Sequence, residues 1–335
     1  MAVLRSILGA PISAIWAMVL GLRHRLYDVH ILRSYSVNIP TICVGNLALG
    51  GTGKTPHTEY LIRLLTPHYR VAVLSRGYGR KTRGFVLGAP DSTAKQIGDE
   101  PLQIVRKFPS VPVAVCENRV QGIHKLQKLF PDLQAVILDD AYQYRALRCG
   151  LTILLTTYDN LYVHDHLWPM GHLRDSKHRA RKANIIMVTK CPDTMTPIDR
   201  RIVENRLHKA AFQRLYFTSL KYAPLPTEGT PLIVTGIANP KPLVDYVRAK
   251  EPKAELLAFR DHHMFTQRDV NRIFAAAERY DYVLTTEKDL PRLEQAGVAE
   301  TLGDKLHVLP IEVQLVQDEE ELIKKLDSYI GIVNL

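Results

Sequence analysis

The chain holds only four cysteines in 335 residues: Cys43, Cys116, Cys149 and Cys191. None forms a C-x-x-C pair, so neither a zinc site nor a disulfide framework is indicated. Cys43 and Cys116 sit in apolar runs and read as buried thiols of a reducing compartment. Aromatic residues are also scarce, at 7% with two tryptophans. None interleaves with the basic run Lys177 to Lys182, which argues against a single-stranded nucleic acid as partner. Low-complexity segments and internal repeats are missing. Long apolar runs are missing too. The best candidate, Ser6 to Leu22, carries no charge and lies between Arg5 and Arg23-His24-Arg25. It is slightly short for a membrane span and is interrupted by Pro11. The following residues offer no convincing small-residue cleavage site, which weakens a signal-peptide reading. Trp16 and the aliphatics suit an interfacial helix, with the flanking arginines against anionic headgroups. The alternative is a helix packed on the protein's own core.

What is present is ordinary globular material, 46% apolar and 23% charged. A chain of this length can build two α/β domains, or one large one, with a real core. Its net charge of +10 calls for an anionic partner: nucleic acid, phosphorylated metabolites or an acidic membrane surface.

The most informative stretch runs Gly45-Asn46-Leu47-Ala48-Leu49-Gly50-Gly51-Thr52-Gly53-Lys54-Thr55-Pro56. It follows the β-branched run Ile39 to Val44 and precedes a helical pattern. Strand, glycine-rich loop and helix in that order form a phosphate cradle, with Lys54 reaching the β- and γ-phosphates and Thr55 able to ligate Mg²⁺. The helix start adds its positive dipole end. Ala48 replaces the usual first glycine of G-x-x-x-x-G-K-[ST]. A glycine-rich turn without a ligand is the bland alternative.

Short apolar runs alternate with helical patterns. Val71 to Leu74, Val111 to Val115, Ala135 to Leu138, Leu151 to Thr156 and Ile185 to Val188 read as strands. Thr55 to Leu65 and Glu117 to Phe130 read as helices. This predicts an α/β fold, a P-loop NTPase-like and mostly parallel sheet with helices on both faces. Ligands of such sheets sit at the carboxyl ends of the strands. A smaller α/β unit is expected after Tyr222-Ala223-Pro224-Leu225-Pro226, with Asp318 to Tyr329 as its closing helix. The expected division is residues 1–28 as a membrane-associated helix, 29–221 as the P-loop domain and 222–335 as the second domain.

Several side chains could carry chemistry. Asp139-Asp140 ends a buried strand and can hold Mg²⁺ beside a P-loop, or be a solvated turn. Asp99, in Gly98-Asp99-Glu100-Pro101, is either an N-cap or a carboxylate base for an alcohol acceptor. Asp261-His262-His263 is a proton-handling pair or a set of surface histidines. Arg174-Asp175 with Lys177 to Lys182 is a phosphate clamp or a solvated charged helix. Thr286 and Asp289 have capping-box spacing. Two rival classes fit less well. A P-loop GTPase needs [NT]-K-x-D, and Thr189-Lys190-Cys191-Pro192-Asp193 has one residue too many. A nucleic-acid ATPase lacks the aromatic interleaving noted above.

Taken in order, these pieces resemble one family, the tetraacyldisaccharide 4'-kinases of lipid A biosynthesis. The resemblance runs through Val44 to Pro56, Ser75-Arg76-Gly77-Tyr78-Gly79-Arg80, Gly98 to Pro101, Leu138 to Arg145, Gly171-His172-Leu173-Arg174-Asp175, Asp261 to His263 and Thr286-Glu287-Lys288-Asp289. Two places depart from the family pattern. Ala141-Tyr142-Gln143-Tyr144-Arg145 stands for the usual Gly-Phe-Gln-His-Arg, and Arg174-Asp175 for Arg-Glu.

The resemblance implies transfer of the γ-phosphate of ATP, with Mg²⁺, to the 4'-hydroxyl of a tetraacyldisaccharide 1-phosphate. Asp99 would be the base, supported by His262 or, less favoured, His263. The two lie in different expected domains, so the domains would have to close on each other. Ala48, Gly50, Gly51, Thr52, Gly53, Lys54 and Thr55 would hold the nucleotide, and Thr55, Asp139 and Asp140 the metal. Arg76, Tyr78, Arg119, Gln143, Arg174 and Asp175 would face substrate. The expected partners are the lipid A precursor and anionic lipid at the cytoplasmic face of the inner membrane. No nucleic acid is expected, and the chain is expected to be a monomer.

Overall fold

The computed structural model describes residues 2–226, 228–261 and 263–333, with side chains from residue 9 onward. In chain order the first unit contains α1 (Ala2–Asp28), β1 (Thr41–Asn46), α2 (Lys54–Leu65), β2 (Val71–Ser75), β3 (Val86–Leu87), α3 (Ala94–Ile97), α4 (Asp99–Lys107), β4 (Val113–Val115), α5 (Arg119–Leu129), β5 (Ala135–Asp139) and β6 (Leu151–Thr157). It continues through a 3₁₀ turn at Lys177–Lys182 to β7 (Ile185–Thr189), α6 (Pro197–Leu207) and β8 (Arg214–Tyr222). The strands form a nine-stranded sheet that ends on the edge strand β13 (Ile311–Leu315), in the order β13-β8-β7-β6-β1-β5-β2-β4-β3. From β8 to β4 every pairing is parallel, and β3 runs antiparallel to β4.

A parallel sheet needs cover on both faces, and the burial pattern supplies it. Ile42 and Val44 of β1 point into one cluster with Ile137 of β5 and with Leu61, Ile62 and Leu65 of α2. Cys43 points into the opposite cluster with Val136 and Leu138 of β5 and with Ile123 and Leu126 of α5. This alternation requires continuous apolar runs in β1 and β5, as the sequence has. Because the strands are parallel, the segments after β1, β2, β4 and β5 all leave the same edge of the sheet.

The second unit contains β9 (Pro231–Thr235), α7 (Lys241–Arg248), β10 (Glu255–Ala258), α8 (Gln267–Ala277), β11 (Tyr282–Thr286), α9 (Leu290–Gln295), α10 (Val298–Leu302) and β12 (Leu306–Leu309). Its four strands pair in parallel in the order β10-β9-β11-β12. Thr266 opens α8 with a capping box, its hydroxyl and backbone paired reciprocally with Asp269.

The expected division at 222–335 needs correction. The compact second unit spans 221–312, and residues from 313 on belong to the first unit. The reason is a buried stripe on α11 (Glu319–Val333): Leu322, Leu326 and Ile330 recur every fourth residue and lie in the cluster that holds Ile42 and Val44. Burying three such side chains contributes roughly 2 kcal/mol each. Tyr60 donates to Glu319 at 2.6 Å, and the Thr41 amide donates to Tyr329 at 3.0 Å. Residues 1–28 likewise are not a separate domain, because α1 belongs to the first unit.

Leu20 and Ser13 of α1 are buried, and the Ser13 hydroxyl donates to the Leu167 carbonyl at 3.0 Å. The outward side of α1 leaves Ile12, Ile15, Trp16, Met18, Val19 and Leu22 exposed. Among the described residues no helix is long and apolar enough to cross a membrane.

Candidate active site

Between β1 and α2 the chain turns through Gly50, Gly51 and Gly53, all at positive φ. Gly53 has φ 85 immediately before Lys54, a left-handed conformation that glycine adopts without a Cβ clash. The first turn of α2 follows at once, so its free N–H groups face the loop.

The loop is braced from three sides. Asn46, fully buried at the end of β1, donates to the Thr52 hydroxyl at 2.7 Å and accepts from Arg174 at 2.6 Å. Its carbonyl accepts from Gln143 at 2.6 Å. The segment 172–174 runs alongside the loop: the Leu49 amide donates to the His172 carbonyl at 2.7 Å, and the Arg174 amide to the Leu47 carbonyl at 2.8 Å. Ala48 bridges to Leu173 in the same pairing, so this position serves as a strand-like edge. The Thr189 hydroxyl at the end of β7 donates to the Thr52 carbonyl at 2.9 Å. Thr189 is thus a loop brace, within the very segment that loosely matched a guanine-reading motif.

His57 locks the third side. Its Nδ1–H donates to the Gly53 carbonyl at 2.7 Å, which leaves Nε2 to accept from the Thr218 hydroxyl at 2.9 Å. Burial pushes its pKa down to about 4, with the Lys190 charge adding to the effect and the Gly53 bond opposing it. The imidazole is therefore neutral at physiological pH.

Two carboxylates leave β5 in different environments. Asp139 is fully buried and accepts from Thr58 and Ser75, each at 3.2 Å. Burial, together with the charges of Glu100 and Asp140, pushes it up to about 7, and Lys54 offsets this only in part. Asp140 sits at φ 48 and accepts two hydrogen bonds from the Arg174 guanidinium. Its pKa would rise on burial, but Arg174 and Lys54, whose Nζ is 3.8 Å away, hold it below the usual range. The pair expected to flank a metal is thus divided: Asp140 is committed to Arg174, and Asp139 remains the buried oxygen donor beside α2.

Asp99 is the first residue of α4. It is not the N-cap, a position held by Gly98 at φ 94. A Cβ at Gly98 would lie 2.8 Å from the Tyr78 carbonyl, so the glycine lets the loop after β2 pack against the start of α4. Tyr78 itself is 81% exposed, and Arg76 is exposed on the same loop. Arg119 is buried, with its guanidinium over the Tyr144 ring at 5.4 Å and with the Asp139 and Asp140 charges acting on it. Tyr144, which stands where the family pattern has histidine, supports an arginine here.

Two further expected site residues have partners of their own. Asp175 is fully buried and accepts from His24 Nε2 at 2.6 Å and from the Ser176 amide at 2.8 Å. His263 is engaged by Asp269 at 2.9 Å and stacks on Phe259, so the capping of α8 accounts for it. His262 lies outside the described residues. Asp289 does more than cap: buried in the second unit, it accepts from Thr235, the Gly236 amide and the buried Arg292. Sequence reasoning missed Asn46, His57 and Glu100 as site residues, though each lies inside or next to a motif it quoted.

A mostly parallel α/β sheet with a braced glycine loop, a helix-start lysine and an arginine–carboxylate clamp at its carboxyl edge is the arrangement of an α/β phosphotransferase. The comparisons specify which one. The model of the Tetraacyldisaccharide-1-P 4'-kinase family matches residues 5–331. Tetraacyldisaccharide 4'-kinase of Bacteroides thetaiotaomicron is 43% identical over 93% of this chain and 89% of its own length. The Flavobacterium johnsoniae protein of that name is 40% identical over 98% of both chains. The crystal structure of LpxK from Aquifex aeolicus in complex with ATP superposes with a TM-score of 0.75 at 26% identity, covering 98% of this chain and 99% of its own. The chain belongs to the tetraacyldisaccharide-1-P 4'-kinase family and is a kinase of lipid A biosynthesis.

Proposed function

We propose that this chain moves the γ-phosphate of ATP to the 4'-hydroxyl of a tetraacyldisaccharide 1-phosphate, giving lipid IVA at the cytoplasmic face of the inner membrane. The observation that carries the reading is the braced loop 47–53 leading into Lys54, with Arg174 and Asp140 beside it.

Each residue has a physical role. The loop amides and the α2 dipole bind the phosphate chain, and Lys54 exchanges its 3.8 Å contact with Asp140 for a phosphate oxygen. Arg174 neutralises charge that builds on the transferring group. Asp99 accepts the proton of the attacking hydroxyl. The acceptor is a neutral alcohol, so placement, charge neutralisation and a proton acceptor suffice.

A divalent cation fits the oxygen donors here. The fit rests on Asp139, a buried carboxylate pushed up to about 7 by burial and by neighbouring negative charge, which a cation would relieve. Thr55 and Asp139 would hold it, with Glu100 close enough to act on Asp139. When bound, it supplies positive charge to the β- and γ-phosphates. Among the described residues no group of three or more His, Cys, Asp or Glu side chains could hold a metal, so the phosphates would complete the shell.

The apolar outward side of α1 supports attachment to the membrane surface, where the acyl chains of the acceptor lie. The test is incubation of the purified protein with γ-labelled ATP and the lipid disaccharide. Label in the lipid is expected. Label released only as free phosphate would remove the kinase reading.

A further inference from the structure

A cavity of about 620 Å³ opens beside α5, and Tyr35, Asn118, His124, Lys125, Lys128 and Tyr144 are among the residues that line it. This volume is in the range of cavities that hold small ligands. Three of the lining side chains are basic or imidazole, and no carboxylate lines it among the described residues. His124, Lys125 and Lys128 stand on the exposed side of α5, and Lys125 also lies 5.4 Å over the Phe85 ring. Asn118 caps α5, accepting from the Gln121 amide at 3.1 Å.

The position of the cavity matters more than its composition. One wall is Tyr144, and the guanidinium of Arg119 lies over that ring at 5.4 Å. Arg119 in turn feels the charges of Asp139 and Asp140. One arginine therefore separates the cavity from the carboxylates of the transfer centre. Tyr35 also lines it, held to the segment after β5 by its amide hydrogen bond to the Ala146 carbonyl at 2.8 Å. Tyr35 ends a stretch after α1 in which Val29, Ile31 and Leu32 are all exposed. The cavity thus adjoins an exposed apolar segment through Tyr35 and the acidic centre through Tyr144 and Arg119.

We infer that this cavity takes the reducing-end sugar of the acceptor, with its phosphomonoester against Lys125, Lys128 and His124. The inference rests on the proposed function and deepens it. An amphipathic sugar phosphate has the matching order of parts: acyl chains toward Val29–Leu32, an anionic end toward the α5 bases, and a free hydroxyl at the far sugar toward the transfer centre. Tyr35 and Tyr144 offer ring faces for the C–H faces of a pyranose. The lysines act as point charges on the phosphate, each a charge-assisted donor.

The test compares two acceptors in neutral detergent micelles: the tetraacyldisaccharide with its 1-phosphate and the same lipid with a free 1-hydroxyl. The full-length protein should prefer the phosphorylated acceptor by about tenfold or more in kcat/KM. In Lys125→Gln/Lys128→Gln that ratio should fall toward one, with KM for ATP unmoved. His124→Gln should lower it by a smaller factor. A double variant that keeps the full preference would overturn the inference. So would loss of binding to anionic vesicles with the preference in neutral micelles intact, because the bases would then serve a membrane headgroup. Wild-type protein that phosphorylates neither acceptor would instead defeat the proposed function itself.

Discussion

His24 on α1 donates from Nε2 to the fully buried carboxylate of Asp175 at 2.6 Å, across 151 residues of sequence. Arg145 fixes that tautomer, lying 3.4 Å from Nδ1 while donating to the His24 carbonyl at 2.7 Å and to Asp28 at 2.6 Å. Next to Asp175 stands Arg174, which grips both Asp140 and Asn46. Arg23 adds a second tie, donating to the carbonyl of Gln143, whose side chain holds Asn46. The apolar amino-terminal helix and the phosphate loop are therefore joined through single residues on two routes.

Removing His24 leaves a buried carboxylate without its partner. His24→Ala should cost roughly 3 kcal/mol of stability and raise KM for ATP, because Arg174 loses a fixed neighbour. Denaturant unfolding and ATP titration measure the two effects. Unchanged values in both would mean that the pair plays no part in the site.

Arg174 is expected to act in the chemical step. Arg174→Ala should lower kcat by about 10²–10³-fold. Arg174→Lys should recover little, since an ammonium cannot grip a carboxylate or phosphate with two parallel bonds. Full rescue by lysine would reduce the role to simple charge.

His57 makes stability depend on pH. Its pKa is about 4 in the folded chain against 6.5 ordinarily, because burial disfavours the imidazolium. Between those values the unfolded chain binds a proton that the folded chain does not. This contribution is complete above pH 6.5 and is lost as pH falls through the window, by roughly 3 kcal/mol in all. His57→Gln should flatten that part of the profile in denaturant unfolding at pH 7, 5.5 and 4.5. Equal losses in variant and wild type would assign the titration to another group.

Membrane attachment should follow the exposed side of α1. Trp16→Gln/Leu22→Gln removes two exposed apolar side chains and spares buried Leu20. Partition into anionic vesicles should drop about tenfold or more. Sedimentation with vesicles at the wild-type level would place the attachment elsewhere.

The parts legible in the sequence were those written in contiguous residues. The run Ile39 to Val44 followed by Gly50-Gly51-Thr52-Gly53-Lys54 announces strand, loop and helix, and the apolar runs at β5, β6 and β7 announce a parallel sheet. Partnerships across the chain were not legible. The spacing of α11 shows that Leu322, Leu326 and Ile330 share a face, but not that the face returns to β1. The motif marks Asp175 as an expected site residue, but its partner His24 is 151 residues away in the sequence and cannot be read from it. His57 carried a signal that could have been used: it lies four residues after Gly53, the reach of one helical turn back onto the loop. Glu100 stands beside Asp99 in the same motif, and nothing in its spacing shows that its charge acts on Asp139.

The central claim is that the turn ending at Lys54 holds the triphosphate and presents its terminal phosphorus to the acceptor. The most direct measurement is a crystal structure with a non-hydrolysable ATP analogue. The account expects the phosphates to be wrapped by the amides from Gly50 to Lys54, with the Lys54 ammonium moved from Asp140 onto a phosphate oxygen. An analogue bound elsewhere, with that turn empty and Lys54 still on Asp140, would contradict it.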